Sequence, residues 1–163
     1  MKTTWKLVAL LAVALPAAAL TGDKTMVFTA QDVQKEFTRL IPEAQSKGSS
    51  GSTLAATGNL ALKTSVRTTS GGAEIHAYYD DLMIVEQGSA TLITGGTLVN
   101  AKTTPDGESK GSSIQGGVSR EIHVGDVIIV PAGQPHQLLI APGTVYGAMV
   151  AKIKEAGNEG TRE

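Results

Sequence analysis

The chain has no cysteine. Disulfides therefore contribute nothing to its stability, and a lipid anchor attached through cysteine is excluded. Aromatic residues make up only 4% of it, which argues against a platform that stacks bases or sugars. No block of like charge occurs: 14 basic and 15 acidic residues are dispersed along the sequence. That balance speaks against a nucleic-acid partner or an anionic membrane surface. Long apolar runs are also missing. The most apolar segment, residues 7–15, falls well short of the ~20 residues that span a bilayer.

What is present begins with a leader. Lys2 and Lys6 form a short positive region, residues 7–15 an apolar one, and Pro16 with Ala17, Ala18 and Ala19 a small-residue cleavage site. Residues 1–19 are expected to be a signal peptide, cleaved after Ala19. The mature protein would then be exported, periplasmic or secreted, with no stable membrane insertion after cleavage. Removal of Lys2 and Lys6 leaves 12 basic against 15 acidic residues, formally −3. The remaining chain has the length of one domain and can bury a core without staples. Glycine is abundant, at 19 residues, and β-branched residues are frequent, a combination that favours short strands and tight turns.

Residues 20–52 are expected to form an N-terminal helix and loop. Thr29 and Asp32 are placed as a capping box. Val33, Phe37, Leu40 and Ile41 recur at helical spacing, so a helix over 30–41 should pack on the outside of a β domain and end at Pro42. Residues 53–155 carry about nine or ten short strands separated by turn signals, and 156–163 form a polar tail. In the strand over 60–69, Leu60, Leu62 and Val66 share a face. Residues 103–117 read as a long polar loop with a turn at Pro105-Asp106-Gly107, a candidate lid over a pocket. The pattern points to an all-β sandwich or barrel enclosing a site for one ligand or ion.

Two stretches carry the chemistry. In the first, Glu74, His76 and Tyr78 share one face of a strand because side chains alternate, and Asp81 opens the next strand after a tight turn. In the second, His136 opens a strand after Pro131, Gly133 and Pro135. His76, His136 and Asp81 make a set of two imidazoles and one carboxylate that holds a divalent ion and leaves positions open for water or substrate. Glu74, one pleat from His76, is a further metal ligand or a nearby base. Tyr78 is a hydrogen-bond donor or acid at the same pocket. Tyr79 and Gln137 reach toward its mouth. Arg67 is either an anion-binding or a solvated strand residue, and His123 is structural or at the surface.

These residues resemble the two motifs of the cupin superfamily. The first motif is a glycine, His-x-His, a carboxylate three or four residues on, and a glycine after six more. His76, Asp81 and Gly88 fit it, with Glu74 in place of the first histidine. The second motif is matched by Gly125, Pro131, Gly133 and His136, with Ile140 where an asparagine is usual. The resemblance spans about residues 54–153. It implies a single cupin-type double-sheet jelly-roll β-barrel with a short N-terminal helix, and a homodimer. It also implies one divalent transition metal at His76, His136, Asp81 and Glu74. The carboxylate-rich set favours manganese, iron or zinc over copper. Glu74 and Tyr78 are the candidate catalytic groups. The expected function is that of a metal-binding cupin-domain protein acting on a small molecule as a dioxygenase, isomerase or lyase. The alternatives are a non-catalytic module that binds or senses a small ligand, and a structural domain with a vestigial site.

Overall fold

The computed structural model describes residues 24–155; the expected signal peptide and polar tail lie outside them. Helix α1 (Ala30–Lys47) is followed by β1 (Ser49–Thr57), β2 (Leu60–Arg67), β3 (Ala73–His76), β4 (Tyr79–Gln87), β5 (Ser89–Thr94), β6 (Thr97–Val99) and β7 (Lys102–Thr103). Then come β8 (Glu108–Gly111), β9 (Ser113–Gln115), β10 (Val118–His123), β11 (Val127–Val130), β12 (His136–Leu139) and β13 (Tyr146–Lys154). One sheet runs β1-β2-β13-β4-β11, the other β10-β5-β12-β3-β8-β7, and β6 pairs with β9 in a small third sheet.

The expected β-barrel is corrected by this pairing. Neither large sheet closes: β1 and β11 are the edges of one, β10 and β7 the edges of the other. Their inner faces meet as an open sandwich. Short strands that alternate apolar and polar residues serve a sandwich as well as a barrel. Closure depends on which edges pair, and the alternation does not encode that. The sandwich core is Met83, Val85, Ala90, Leu92, Ile122, Val130, Ile140, Tyr146 and Ala148.

Helix α1 begins as the sequence indicates. The Thr29 side chain accepts from the Asp32 backbone, and the Asp32 side chain accepts from the Thr29 backbone. It does not end at Pro42, which lies inside it. The turn beyond the proline is held by tertiary contacts. Ala44 is fully buried, and its carbonyl accepts from the Gly48 N–H at 2.7 Å and the Thr68 hydroxyl at 2.7 Å. These bonds offset the one that proline cannot make. Phe37 and Leu40 pack with Ala44 on Val66, and each large side chain so buried contributes about 1.5–3 kcal/mol. Gly147 permits the fit, since a Cβ there would lie 3.2 Å from the Phe37 ring.

The 103–117 segment is not a free loop. β8 pairs with β3 and β7, and β9 pairs with β6, so most of it is sheet. Strand β2 also presents its faces in the opposite sense to a simple apolar-inward reading. Val66 faces the helix, while Lys63, Ser65 and Arg67 line a cavity between the sheets.

Two stability predictions follow from buried or fastened polar groups. The Tyr146 hydroxyl is buried with no hydrogen-bond partner among the described residues, and burial pushes its phenol up to about 12. Tyr146→Phe removes an unpaired polar atom and should keep the unfolding free energy or raise it by on the order of 1 kcal/mol; a clear fall would show that the hydroxyl is bonded. On the helix, Arg39 donates to both Glu36 oxygens, at 2.9 and 2.6 Å, and the Ser52 hydroxyl donates as well. These bonds hold the Glu36 carboxyl at about 2, below its ordinary 4.5. A depressed folded-state value stabilises the fold above the ordinary value, and that contribution is lost as pH falls toward about 2. Acid titration of unfolding should therefore show the gap between parent and Glu36→Gln narrowing across that window.

Candidate metal centre

The site is built where the chain crosses between sheets. β3 lies between β12 and β8, with His136 directly opposite Glu74 and Glu108 directly opposite His76. β4, in the other sheet, brings Asp81 across to them. The turn before His136 is fastened to this crossing. The Gly133 N–H donates to the His76 carbonyl at 2.8 Å, and the Ala132 N–H donates to Asp80 at 2.8 Å. The proline-glycine turn thus fixes His136 relative to His76, and their ring centroids stand 5.1 Å apart.

Glu74, His76 and His136 each offer a ligand atom, and the three atoms lie within 4.8 Å of one another. His76 Nδ1 is 2.5 Å from Glu108 Oε2, and His136 Nδ1 is 3.2 Å from the Gln134 carbonyl. A protein oxygen at Nδ1 orients each ring, and a neutral ring with Nδ1–H donating would offer the lone pair of Nε2 to an ion. His76 Nε2 lies 3.7 Å from Glu74 Oε2 and 3.3 Å from Asp81 Oδ2. Both rings are buried, at 6% and 7% exposure.

The two histidines diverge electrostatically. Burial opposes charge on His76, but the Asp81 and Glu108 carboxylates outweigh it and raise its pKa. Burial dominates at His136 and lowers its pKa, which favours the neutral ring. Burial would raise Asp81, but His76 and Lys152 hold it below the usual carboxylate range. Its Oδ1 accepts from Lys152 Nζ at 2.8 Å. Asp81 therefore stands beside the group of three, one oxygen toward His76 and the other given to a lysine.

Above these residues the sheets enclose a cavity of about 530 Å³. Glu74, His76, Asp81, His136, Gln137, Lys63, Arg67 and Lys152 are among its lining residues, and Tyr78 and Tyr79 are not. Tyr78 sits in the crossing between β3 and β4, its ring beside Gly107. His123 is exposed at the end of β10, and Ile140 is a core residue.

Sequence reasoning missed Glu108 and Lys152. Glu108 gave no signal, because it lies in a segment with no strand periodicity. Lys152 did give one: it continues the two-residue alternation of Tyr146, Ala148 and Val150, so it had to point inward.

No protein-family model and no curated protein matches the chain. Many solved structures are similar to it, three of which illustrate the likeness. The polyketide cyclase RemF from Streptomyces resistomycificus is 20% identical over 67% of this chain and 67% of that one, with a TM-score of 0.48. A Cupin 2 conserved barrel domain protein from Salinispora arenicola is 16% identical over 66% of this chain and 77% of that one, with a TM-score of 0.47. A predicted oxalate decarboxylase from Thermotoga maritima is 12% identical over 66% of this chain and 81% of that one, with a TM-score of 0.49.

If Glu108 orients His76, Glu108→Ala should weaken divalent-metal affinity by about 10–100-fold while the protein remains folded. Competition titration against a chromophoric chelator reads this directly, and an unchanged affinity would remove Glu108 from the site.

Proposed function

We propose that the chain is a metal-dependent enzyme of cupin type that acts on a small molecule, with Glu74, His76 and His136 holding one divalent ion. The observation that carries this reading is the arrangement of the two imidazoles. Each has Nδ1 bonded to a protein oxygen, and both cluster with a carboxylate at the wall of a cavity of metabolite size. Two histidines and a carboxylate suit manganese, iron or zinc and leave coordination positions free. A bound ion of this kind would polarise a carbonyl or enolate oxygen of the substrate.

The chain's own residues do the rest. Glu108 and the Gln134 carbonyl fix the ring orientations. Asp81 balances Lys152 and places a second negative charge beside His76. The two sheets shield the site, since His76, Asp81 and His136 are all buried. Glu74, less buried than the histidines, is the group we assign both to the ion and to substrate contact.

Export and pairing belong to the same proposal. The leader over residues 1–19 supports export. The unpaired edge of β11, with Val127 and Ile129 62% and 66% exposed, supports a homodimer. Among the described residues no helix is long and apolar enough to cross a membrane.

The deciding experiment is elemental mass spectrometry of tag-free protein from the exported fraction, beside a His76→Ala, His136→Ala double variant. About one equivalent of a transition metal in the parent and none in the folded variant is expected. Metal absent from both would overturn the metalloenzyme and leave a metal-free binding module. The same sample's intact mass and sedimentation read cleavage and pairing.

A further inference from the structure

The cavity wall opposite the candidate metal centre carries cations that the centre does not use. Lys63 and Arg67 lie on β2, four residues apart and so on one face, and both line the cavity. Both are half-buried. Neither side chain makes a hydrogen bond or ion pair with another described residue. Lys152 is different, because Asp81 neutralises it at 2.8 Å.

Both keep part of their surface in water, but no carboxylate among the lining residues is left to pair with either. The lining residues include two, Asp81 and Glu74. Asp81 is taken by Lys152 and His76, and Glu74 belongs with the histidines. Three lining cations thus face two engaged carboxylates, and a divalent ion would add further positive charge.

The ground beside Arg67 is also shaped. A Cβ on Gly71 would lie 2.8 Å from Arg67 Nη1, so the guanidinium occupies the space a side chain would fill. The Gly71 backbone is pinned from both sides. Its N–H donates to the Leu138 carbonyl at 3.0 Å, and its carbonyl accepts from Gln137 Nε2 at 2.9 Å. A planar guanidinium on a fixed floor matches a carboxylate by a paired bond, and the Lys63 ammonium adds positive charge further along the same wall.

We propose that the cavity binds a small organic acid, whose carboxylate pairs with Arg67 on β2, with Lys63 adding positive charge along the same wall, while its other end faces Glu74, His76 and His136. Because β2 and β3 belong to opposite sheets, the molecule bridges the sandwich. The reacting end rests on the metalloenzyme reading; the carboxylate grip does not, because it uses none of the metal-centre residues.

The test is ligand-dependent thermal shift with acetate, malonate, succinate and benzoate, each beside its uncharged amide, and with inorganic phosphate. It is run on metal-free and metal-loaded full chain, and on Arg67→Gln, Lys63→Met and Gly71→Ala. At least one carboxylate should stabilise the parent in both metal states while its amide does not. Arg67→Gln should weaken that binding about tenfold or more and Lys63→Met by a smaller factor, and both should keep the parent's metal content and melting temperature. Gly71→Ala, which displaces the guanidinium, should weaken it too.

The proposal is overturned if no carboxylate stabilises the protein, if the amides do so equally, or if phosphate outdoes every carboxylate. It is also overturned if both cation variants bind as the parent does, or if binding requires the metal. Carboxylate binding by a protein that takes up no metal would sink the metalloenzyme reading and leave this one standing.

Discussion

The site depends on His76 being held between two sheets by carboxylates on opposite sides of its ring. Glu108, its cross-strand neighbour on β8, takes Nδ1, and Asp81, reaching over from β4, stands at Nε2. An imidazole buried to this extent would shed its proton without partners, yet these two carboxylates keep the ring basic. The backbone at the same residue anchors the turn that delivers His136. One residue thus ties together a strand in each sheet, the proline-glycine turn and the second histidine.

Lys152 completes the charge logic. Asp81 without a cation would be a buried anion held by His76 alone. With Lys152 at 2.8 Å it is held below the usual carboxylate range. The polar interior is therefore a fastened network at one end and, at Arg67 and Lys63, an unmatched pair at the other. Partner-free charge in an otherwise satisfied wall is the pattern of a binding surface more than of a core.

Much of this was legible from sequence, and the parts that were not share a cause. The capping box at Thr29 and Asp32 is a local rule, and it holds. So do most of the strands, because alternation is local. The spacing around His136 placed that residue at the start of its strand beside Glu74 and His76. The helix running through Pro42 was not readable, since Thr68 and Gly48, which fasten its last turn, lie outside the helix itself. Glu108 was missed because its segment is strand only by pairing with β3. Barrel closure was misjudged for a related reason: whether β1 or β11 finds another edge is decided by distant pairings that no window of residues contains. Residues that act through long-range partners are invisible until the partners are known.

The two-residue alternation of β2 has one more implication. Val66 presses on the helix while its neighbours Ser65 and Arg67 face the cavity, so the residues that keep the strand in place and those that choose its guest interleave without sharing a surface. Such a strand can be rewritten on one side alone. Exchanges at 63, 65 and 67 would re-tune what the interior admits while the seam under Phe37 and Leu40 stays shut, which makes this wall a place where descendants of the chain could change their diet cheaply.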